Sequence, residues 1–244
     1  MQPLSSSRLL DVWESAHAAG QVERALRLLE AASPEIAPDR LAQLPVGRRD
    51  ARLLVLREWM FGPHLVSRAS CPACGESLEL SFTVGDIRVE NDERIDETFT
   101  ARLDDYEVRF RLPNSQDLLA VADCVELQEA RRLLFARLIL SASHNDEAVG
   151  VENLPPEVVD HVVEEMSLAD PQGDVKLALG CPACGQKWEA LFDIVSFFWS
   201  EIDAWARRVL QEVHIIARAY GWPERETLAL SPQRRRLYLE MILG

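Results

Sequence analysis

The chain has 244 residues, of which 48% are hydrophobic and 27% are charged, a composition typical of a folded globular protein and not of a disordered one. Its apolar runs fall short of the roughly 20 residues that a transmembrane helix needs, and its first residues lack the basic and then apolar pattern of a signal peptide. We therefore expect an intracellular, cytoplasmic protein.

The formal net charge of -14 is concentrated in one part of the chain. Residues 76–174 hold 24 acidic and 8 basic side chains, whereas residues 1–75 and 175–244 each hold 8 acidic and 9 basic ones. Because phosphate binding needs clustered Lys and Arg, the acidic segment is unsuited to a nucleic-acid groove. Its acidity indicates either a solvated surface that keeps the protein soluble or a docking face for a basic partner.

The N-terminal part of the chain is predicted to be helical. One helix begins at the serines of residues 5–7 and ends near Gly20, and a second carries the apolar residues between Val22 and Leu29. A third helix runs from Asp50 to Phe61 and ends at Gly62-Pro63.

The middle of the chain mixes strands and helices. Alternation of apolar and polar residues predicts strands, and apolar residues three or four apart predict helices. The predicted strands cover residues 78–84, 98–104, 106–112, 175–179 and 188–194. The predicted helices run from Gln116 to about Ser143 and from Pro156 through Met166.

The C-terminal part returns to helix. A regular apolar stripe predicts a long helix from about Ser196 to Tyr220, ended by Gly221-Trp222-Pro223. Ser231 and Pro232 are a favourable N-cap and first-turn pair for a last helix.

The pentapeptide Cys-Pro-Ala-Cys-Gly occurs twice, at residues 71–75 and 181–185. A zinc knuckle needs two thiolates on a tight turn, so that both sulfurs reach one ion at about 2.3 Å, and a glycine after the second cysteine can take the left-handed conformation. In a reducing compartment, paired CxxC units are more often metal ligands than disulfides. The sequence therefore predicts one structural zinc ion bound by four ligands: Cys71, Cys74, Cys181 and Cys184.

The spacing between the two pairs is unusual for a zinc ribbon. Ordinary ribbons leave about 15 to 20 residues between pairs, whereas about a hundred intervene here. Two antiparallel hairpins that meet at the ion, with a subdomain inserted between them, would accommodate this separation. One alternative is a thioredoxin-like redox motif, but such a motif sits at the start of a helix. The other is that the cysteines form disulfides or remain free thiols.

Two other side chains bear on this site. Cys124 is interpreted as a small apolar core residue. His64 lies seven residues before Cys71 and is a further candidate for the metal environment.

These patterns predict an α+β fold, mainly helical, with a small antiparallel zinc-ribbon-like sheet split by a strand-plus-helix insertion. We expect five segments along the chain. They are an N-terminal helical region (1–68), a first zinc knuckle with strands (69–112), an acidic helical insertion (113–174), a second knuckle hairpin (175–194) and a C-terminal helical hairpin (195–244).

Several stretches resemble proteins encoded with contractile phage tails and extracellular contractile injection systems. One of them is the stretch CPACGQKWEALFDIVSFFWSEIDAWARRVLQEVHIIARAYGWPERETLALSPQRRRLYLEMI. Its ending resembles that of the T-even-phage-type baseplate hub assembly family, with a long helix, the aromatic Tyr220-Gly221-Trp222, and then Leu-Ser-Pro followed by basic residues and Tyr-Leu. The segments VGRRDARLLVLREWMFGP, FRLPNSQDLLAVAD and LPPEVVDHVVEEMSLADPQ look like a zinc-ribbon-bearing branch of it. The phage family is generally smaller and does not require a zinc ribbon.

The resemblance implies a non-enzymatic accessory protein, acting as a chaperone or minor component in baseplate or spike assembly. Its expected partners are baseplate, spike or hub proteins of a contractile tail-like particle, into which it could be incorporated, and its expected contact surface is the terminal helix with Trp222, Arg235 and Tyr238. A zinc-ribbon nucleic-acid adaptor and a thiol oxidoreductase are the alternative functions.

Overall fold

The computed structural model describes residues 1–89 and 98–244 of the chain. The predicted segment 69–112 includes residues 90–97, which lie outside the described residues. The chain forms two compact units. The first unit consists of Met1–Glu35 together with Ile194–Gly244, and the second consists of Ile36–Asp193.

The described elements are mainly helical, with short antiparallel strands, so the predicted α+β class is confirmed. The helices are α1 (Ser6–Ser15), α2 (Gln21–Ala32), α3 (Pro38–Ala42), α4 (Val46–Phe61), α5 (Val84–Ile87), α6 (Ser115–Val121), α7 (Leu127–Leu138), α8 (Pro156–Ala169), α9 (Ile194–Tyr220), α10 (Glu224–Ala229) and α11 (Pro232–Leu243). The strands are β1 (His64–Ser70), β2 (Ser77–Thr83), β3 (Phe99–Leu103), β4 (Tyr106–Phe110), β5 (Ile139–His144), β6 (Glu147–Ala148), β7 (Lys176–Gly180) and β8 (Lys187–Leu191).

The first unit is a helical assembly around α9. Leu10 of α1 and Leu228 of α10 pack against the α9 residues Ala206, Val209 and Val213, all of them buried. Two serines cap helices as predicted, since the side chain of Ser5 accepts a hydrogen bond from Arg8 N and that of Ser231 accepts one from Arg234 N.

The second unit contains a four-stranded antiparallel sheet in the order β3-β4-β5-β6. One face of the sheet and α8 enclose a hydrophobic core. Its buried members are Ala101, Val108, Phe110, Ile139, Ala142, Leu154, Val158 and Val162.

A buried carboxylate caps α4 from a distant part of the same unit. The side chain of Asp170 accepts a 2.8 Å hydrogen bond from the backbone N–H of Gly47, which satisfies a free donor in the first turn of the helix. A Cβ at position 47 would meet the Asp170 carboxylate and would lie 2.6 Å from the backbone nitrogen of Gly173. Glycine is therefore needed here for close approach.

One prediction about local structure is wrong, and one strand was not predicted. The predicted long helix from Gln116 to Ser143 is instead α6, α7 and the strand β5, because residues 139–144 pair with β4, with Ala142 opposite Val108. The strand β1, which precedes the first cysteine pair, was not predicted. It pairs with β2 across the turn that holds the first CPACG sequence.

Every helix among residues 1–89 and 98–244 is too short or too polar to span a bilayer.

Candidate metal centre

The two cysteine pairs lie at the tips of two antiparallel hairpins. The first hairpin pairs β1 with β2, and its last paired residues are Ser70 and Ser77. The second pairs β7 with β8, and its last paired residues are Gly180 and Lys187. Each CPACG sequence thus occupies the turn of its hairpin, as the two-hairpin hypothesis requires.

The two turns have the same local geometry. In the first, Cys71 N donates to Glu76 O at 2.8 Å and Gly75 N donates to Cys71 O at 2.9 Å. In the second, Cys181 N donates to Gln186 O at 2.8 Å and Gly185 N donates to Cys181 O at 3.0 Å. Gly75 and Gly185 have φ angles of +76° and +75°, a conformation that glycine adopts without strain.

The sulfur atoms pair across the hairpins in a symmetric manner. The Sγ atoms of Cys71 and Cys184 are 3.7 Å apart, and those of Cys74 and Cys181 are 3.6 Å apart. Because equivalent positions in the two hairpins differ by 110 in residue number, exchanging the hairpins turns each of these pairs into the other. The cluster therefore has the contacts of a local two-fold arrangement.

A second contact obeys the same symmetry. Phe82 follows the first knuckle along its strand, and Phe192 is its equivalent after the second. Their ring centroids lie 5.5 Å apart with an interplanar angle of 86°, an edge-to-face geometry that is favourable for aromatic rings. The hairpins thus meet at their tips through sulfur and near their bases through this aromatic pair.

The sulfur positions fit a single tetrahedral ion. All four Sγ atoms lie within 4.8 Å of one another. A tetrahedral ion with metal–sulfur distances of about 2.3 Å separates its sulfurs by about 3.8 Å, close to the two cross-hairpin distances. The four cysteines could therefore hold one metal ion with little rearrangement.

The pKa values of Cys71 and Cys74 are shifted in opposite directions. Burial raises the pKa of Cys71, but N–H groups of Cys74 and Ala73 and the Cys184 thiol lower it more, to about 7. The N–H of Glu76 lowers the pKa of Cys74, but the thiols of Cys184 and Cys181 raise it to about 12. The neighbouring thiols thus oppose deprotonation of Cys74, and a bound cation would remove that opposition.

The ligand candidates differ in exposure. Cys71 and Cys181, the first cysteine of each pair, are 2% and 4% exposed, whereas Cys74 and Cys184 are exposed. The site thus lies at the protein surface, with one buried and one exposed cysteine from each hairpin.

Neither cysteine pair has the setting of a thioredoxin-like motif. A strand follows each pair directly, β2 in one case and β8 in the other, whereas a thioredoxin-like pair stands at the start of a helix, which lowers the pKa of its thiol. Within the described residues, His64 is not part of the cluster, because it lies at the other end of β1, opposite Thr83. Cys124 is half-buried in the turn after α6.

The residues predicted for partner contact lie near the C-terminus in two different environments. Trp222 and Tyr238 form an aromatic cluster with Tyr220, with ring centroids 4.9 to 5.6 Å apart. Arg235, by contrast, is only 2% exposed and donates to Glu212 at 2.9 Å and to Leu230 O at 2.8 Å. Arg235 thus joins α11 to its own unit through these contacts.

Sequence reasoning missed the aromatic pair of Phe82 and Phe192. The signal was present in the sequence, because aligning the two CPACG units at their offset of 110 places these two phenylalanines in register. Contact between them required the facing arrangement of the hairpins, which no single strand specifies.

Comparison with protein families identifies the family of this chain. A family model described as T4 bacteriophage base plate protein matches residues 8–199, which include both cysteine pairs, and the chain therefore belongs to this family. Comparisons with curated proteins and with solved structures find no match. Membership indicates a structural or assembly role in a phage-type baseplate and contact with other baseplate proteins.

Proposed function

We propose that this chain, a baseplate family member with a four-cysteine cluster, is a non-enzymatic assembly factor or minor structural component of a contractile injection system. The protein acts at the baseplate or spike, and one structural zinc ion stabilises it. The observation that carries the proposal is the convergence of four sulfurs from hairpins 110 residues apart, in a chain whose family is a baseplate family.

Zinc is the ion that suits this donor set best. Four thiolates in a tetrahedral arrangement favour zinc or iron–sulfur chemistry over the hard cations, which prefer oxygen. With four protein ligands, no position remains for a reactive water, as in structural zinc sites. The ion is therefore assigned a structural role.

The hairpins need such an ion because they bury little apolar surface. In the second hairpin, no residue of β7 or β8 is buried, and their inward-facing residues are half-buried. An isolated two-stranded hairpin is at best marginally stable in water. Metal binding supplies the stability that burial does not.

The proposed metal ion holds together the two ends of the segment between the hairpins. By joining Cys74 to Cys181, the ion closes the segment that contains the four-stranded sheet and α8. Both ends of this acidic segment are then held at one point, so that its surface is presented in a defined way to other baseplate proteins.

The proposed partner surface in the first unit is the aromatic cluster of Tyr220, Trp222 and Tyr238. Tyr220 is exposed, and the other two are half-buried. Tyrosine and tryptophan side chains of this kind are enriched where proteins bind one another.

The experiment combines metal analysis with assembly in cells. The purified chain is expected to carry one zinc ion, and the double variant Cys74→Ser/Cys184→Ser to carry none. In producing cells, deletion of the gene is expected to reduce intact, active particles. The wild-type gene then restores them, and the double variant does not at matched protein abundance.

Cys124→Ser is the matched control, because it removes a thiol outside the cluster and should retain both zinc and complementation. Fully active particles in the deletion strain would refute the assembly role. A wild-type chain that binds no metal after preparation with zinc would refute the metal centre.

A further inference from the structure

The turn that joins α6 to α7 presents apolar side chains to solvent. This α6–α7 corner, residues 119–129, contains Leu119, Val125 and Leu127, and the last two are 95% and 79% exposed. The helix that follows is also poorly covered, since Leu138 is its only buried residue. Three exposed aliphatic side chains within nine residues exceed the scattered exposure that is usual for a protein surface.

The α6–α7 corner is also acidic. Asp123, Glu126 and Glu129 are exposed, and residues 112–130 contain no Lys or Arg. Among the residues that the structure describes, none of these three carboxylates has an ion-pair partner. The corner therefore combines uncompensated negative charge with exposed apolar surface.

The outer face of α11 has the opposite charge and a similar apolar content. Leu237 and Met241, 48% and 72% exposed, lie four residues apart and so on one face of the helix. Arg234 is one turn before Leu237, and Arg236 is exposed beside it. Neither arginine has an ion pair within the described part of the chain, whereas Arg235 between them pairs with Glu212.

We infer that α11 of one copy binds the α6–α7 corner of a second copy. Apolar residues stand on both surfaces, and the unpaired carboxylates of one meet the unpaired guanidinium groups of the other, so the two surfaces are complementary in charge and hydrophobicity. A second copy is the occupant because every chain carries both surfaces. This inference goes beyond the proposed function and does not require the metal centre.

Such a contact is head-to-tail, because it joins two different surfaces. Repetition of a head-to-tail contact gives a closed ring or an open chain, not a dimer with two-fold symmetry. The full-length protein should therefore form species whose mass rises above 27.5 kDa with concentration.

Charge reversal tests the contact, and sedimentation measures self-association of each variant. Protein concentrations up to about 200 µM allow detection of self-association with a dissociation constant near 100 µM. Glu126→Arg/Glu129→Arg and Arg234→Glu/Arg236→Glu are each expected to weaken self-association at least tenfold. A mixture of the two double variants is expected to associate again, because each reversed surface then meets a matching one. The chain with all four reversals should also recover.

The matched controls reverse exposed charges outside both surfaces, with Glu147→Arg for the acidic set and Arg8→Glu/Arg40→Glu for the basic set. They should leave association unchanged, and circular dichroism should show that every variant is folded. A wild-type chain that remains at 27.5 kDa throughout would overturn the inference. Reversals without effect, or reversals that the mixture fails to rescue, would also overturn it, the latter pointing to a different occupant of these surfaces.

Discussion

Two parts of the second unit are stabilised in different ways. The four-stranded sheet packs against α8 around eight buried apolar residues. The two hairpins have few buried residues besides Leu65 and the cysteines Cys71 and Cys181. Since burial of apolar surface contributes about 25 cal/mol per Å², the sheet has a conventional source of stability that the hairpins lack.

This difference indicates that the two parts have independent sources of stability. The sheet with α8 should remain folded without metal, whereas the paired hairpins should depend on the ion. Gain or loss of metal should then order or disorder the hairpins while the hydrophobic core of the sheet and α8 stays folded.

Removal of two ligands should have the largest effect and would break the comparison most directly. Structural zinc contributes about 10–16 kcal/mol of apparent binding free energy in small zinc domains. In Cys74→Ser/Cys184→Ser, hydrogen exchange should lose protection in residues 64–83 and 176–191 and keep it in β3, β4 and β5. Hairpins that stay protected without metal, or a sheet that loses protection equally, would contradict the expectation that only the hairpins depend on the ion.

The converse change is made in the hydrophobic core. Phe110 is 1% exposed on β4, so Phe110→Ala should lower the free energy of unfolding of this region by about 3–5 kcal/mol. Urea unfolding monitored by hydrogen exchange measures the loss, and zinc content should stay at one ion per chain. Leu140→Ala, at an exposed position on β5, is the control and should cost far less. Loss of zinc in Phe110→Ala would show that the regions are not independent.

A buried ionic contact should give a smaller, pH-dependent effect. The fully buried Asp117 carboxylate accepts hydrogen bonds from Arg111 at 2.6 and 2.8 Å and from Arg137 at 2.8 Å. Burial alone raises its pKa, but Arg111, Arg137 and the N–H of Asn114 lower it further, so the pKa lies below its usual value. Asp117→Asn should therefore cost about 2–3 kcal/mol at neutral pH, moderated by the partial exposure of both arginines.

The direction of the pH dependence follows from that lowered pKa. The stabilisation is fully present above the unfolded-state pKa of about 3.9 and is lost as pH falls through the lower folded-state pKa. Urea unfolding of wild type and Asp117→Asn should thus converge below about pH 4. The exposed Asp123→Asn is the control and should show no such convergence. A constant difference between wild type and Asp117→Asn across this range would exclude the ionic explanation.

The smallest expected effect concerns the aromatic contact between the hairpins. Phe82→Ala and Phe192→Ala should have similar effects, because the residues occupy equivalent positions. Their coupling in a double-mutant cycle should be about 0.5–1.5 kcal/mol. Competition with a chromophoric chelator measures zinc affinity in the single and double variants. If the two substitutions change zinc affinity additively, the rings do not act together to stabilise the metal centre.

Much of the fold could be predicted from short-range sequence signals. Helix α9 follows from a regular apolar stripe, and the Ser231 cap follows from its hydroxyl before a proline. The identity of the four candidate ligands also followed from the repeated pentapeptide, because a CxxC turn is a local structure. These features depend on residues within a few positions of each other.

Features that depend on distant partners could not be predicted in the same way. The residues of β5 continue the apolar spacing of α7, and only pairing with β4 makes them a strand. Arg235 stands in a run of three arginines, and only the packing of α11 directs it inward to Glu212.

The repeated pentapeptide is enough to predict two CxxC turns and the four thiols that they offer to a metal. Folding of the chain brings the turns together, so that Cys71 faces Cys184, Cys74 faces Cys181 and one cysteine of each pair is buried. These two levels differ because turn geometry is set by neighbouring dihedral angles. The meeting of two hairpins 110 residues apart instead depends on the packing of everything between them.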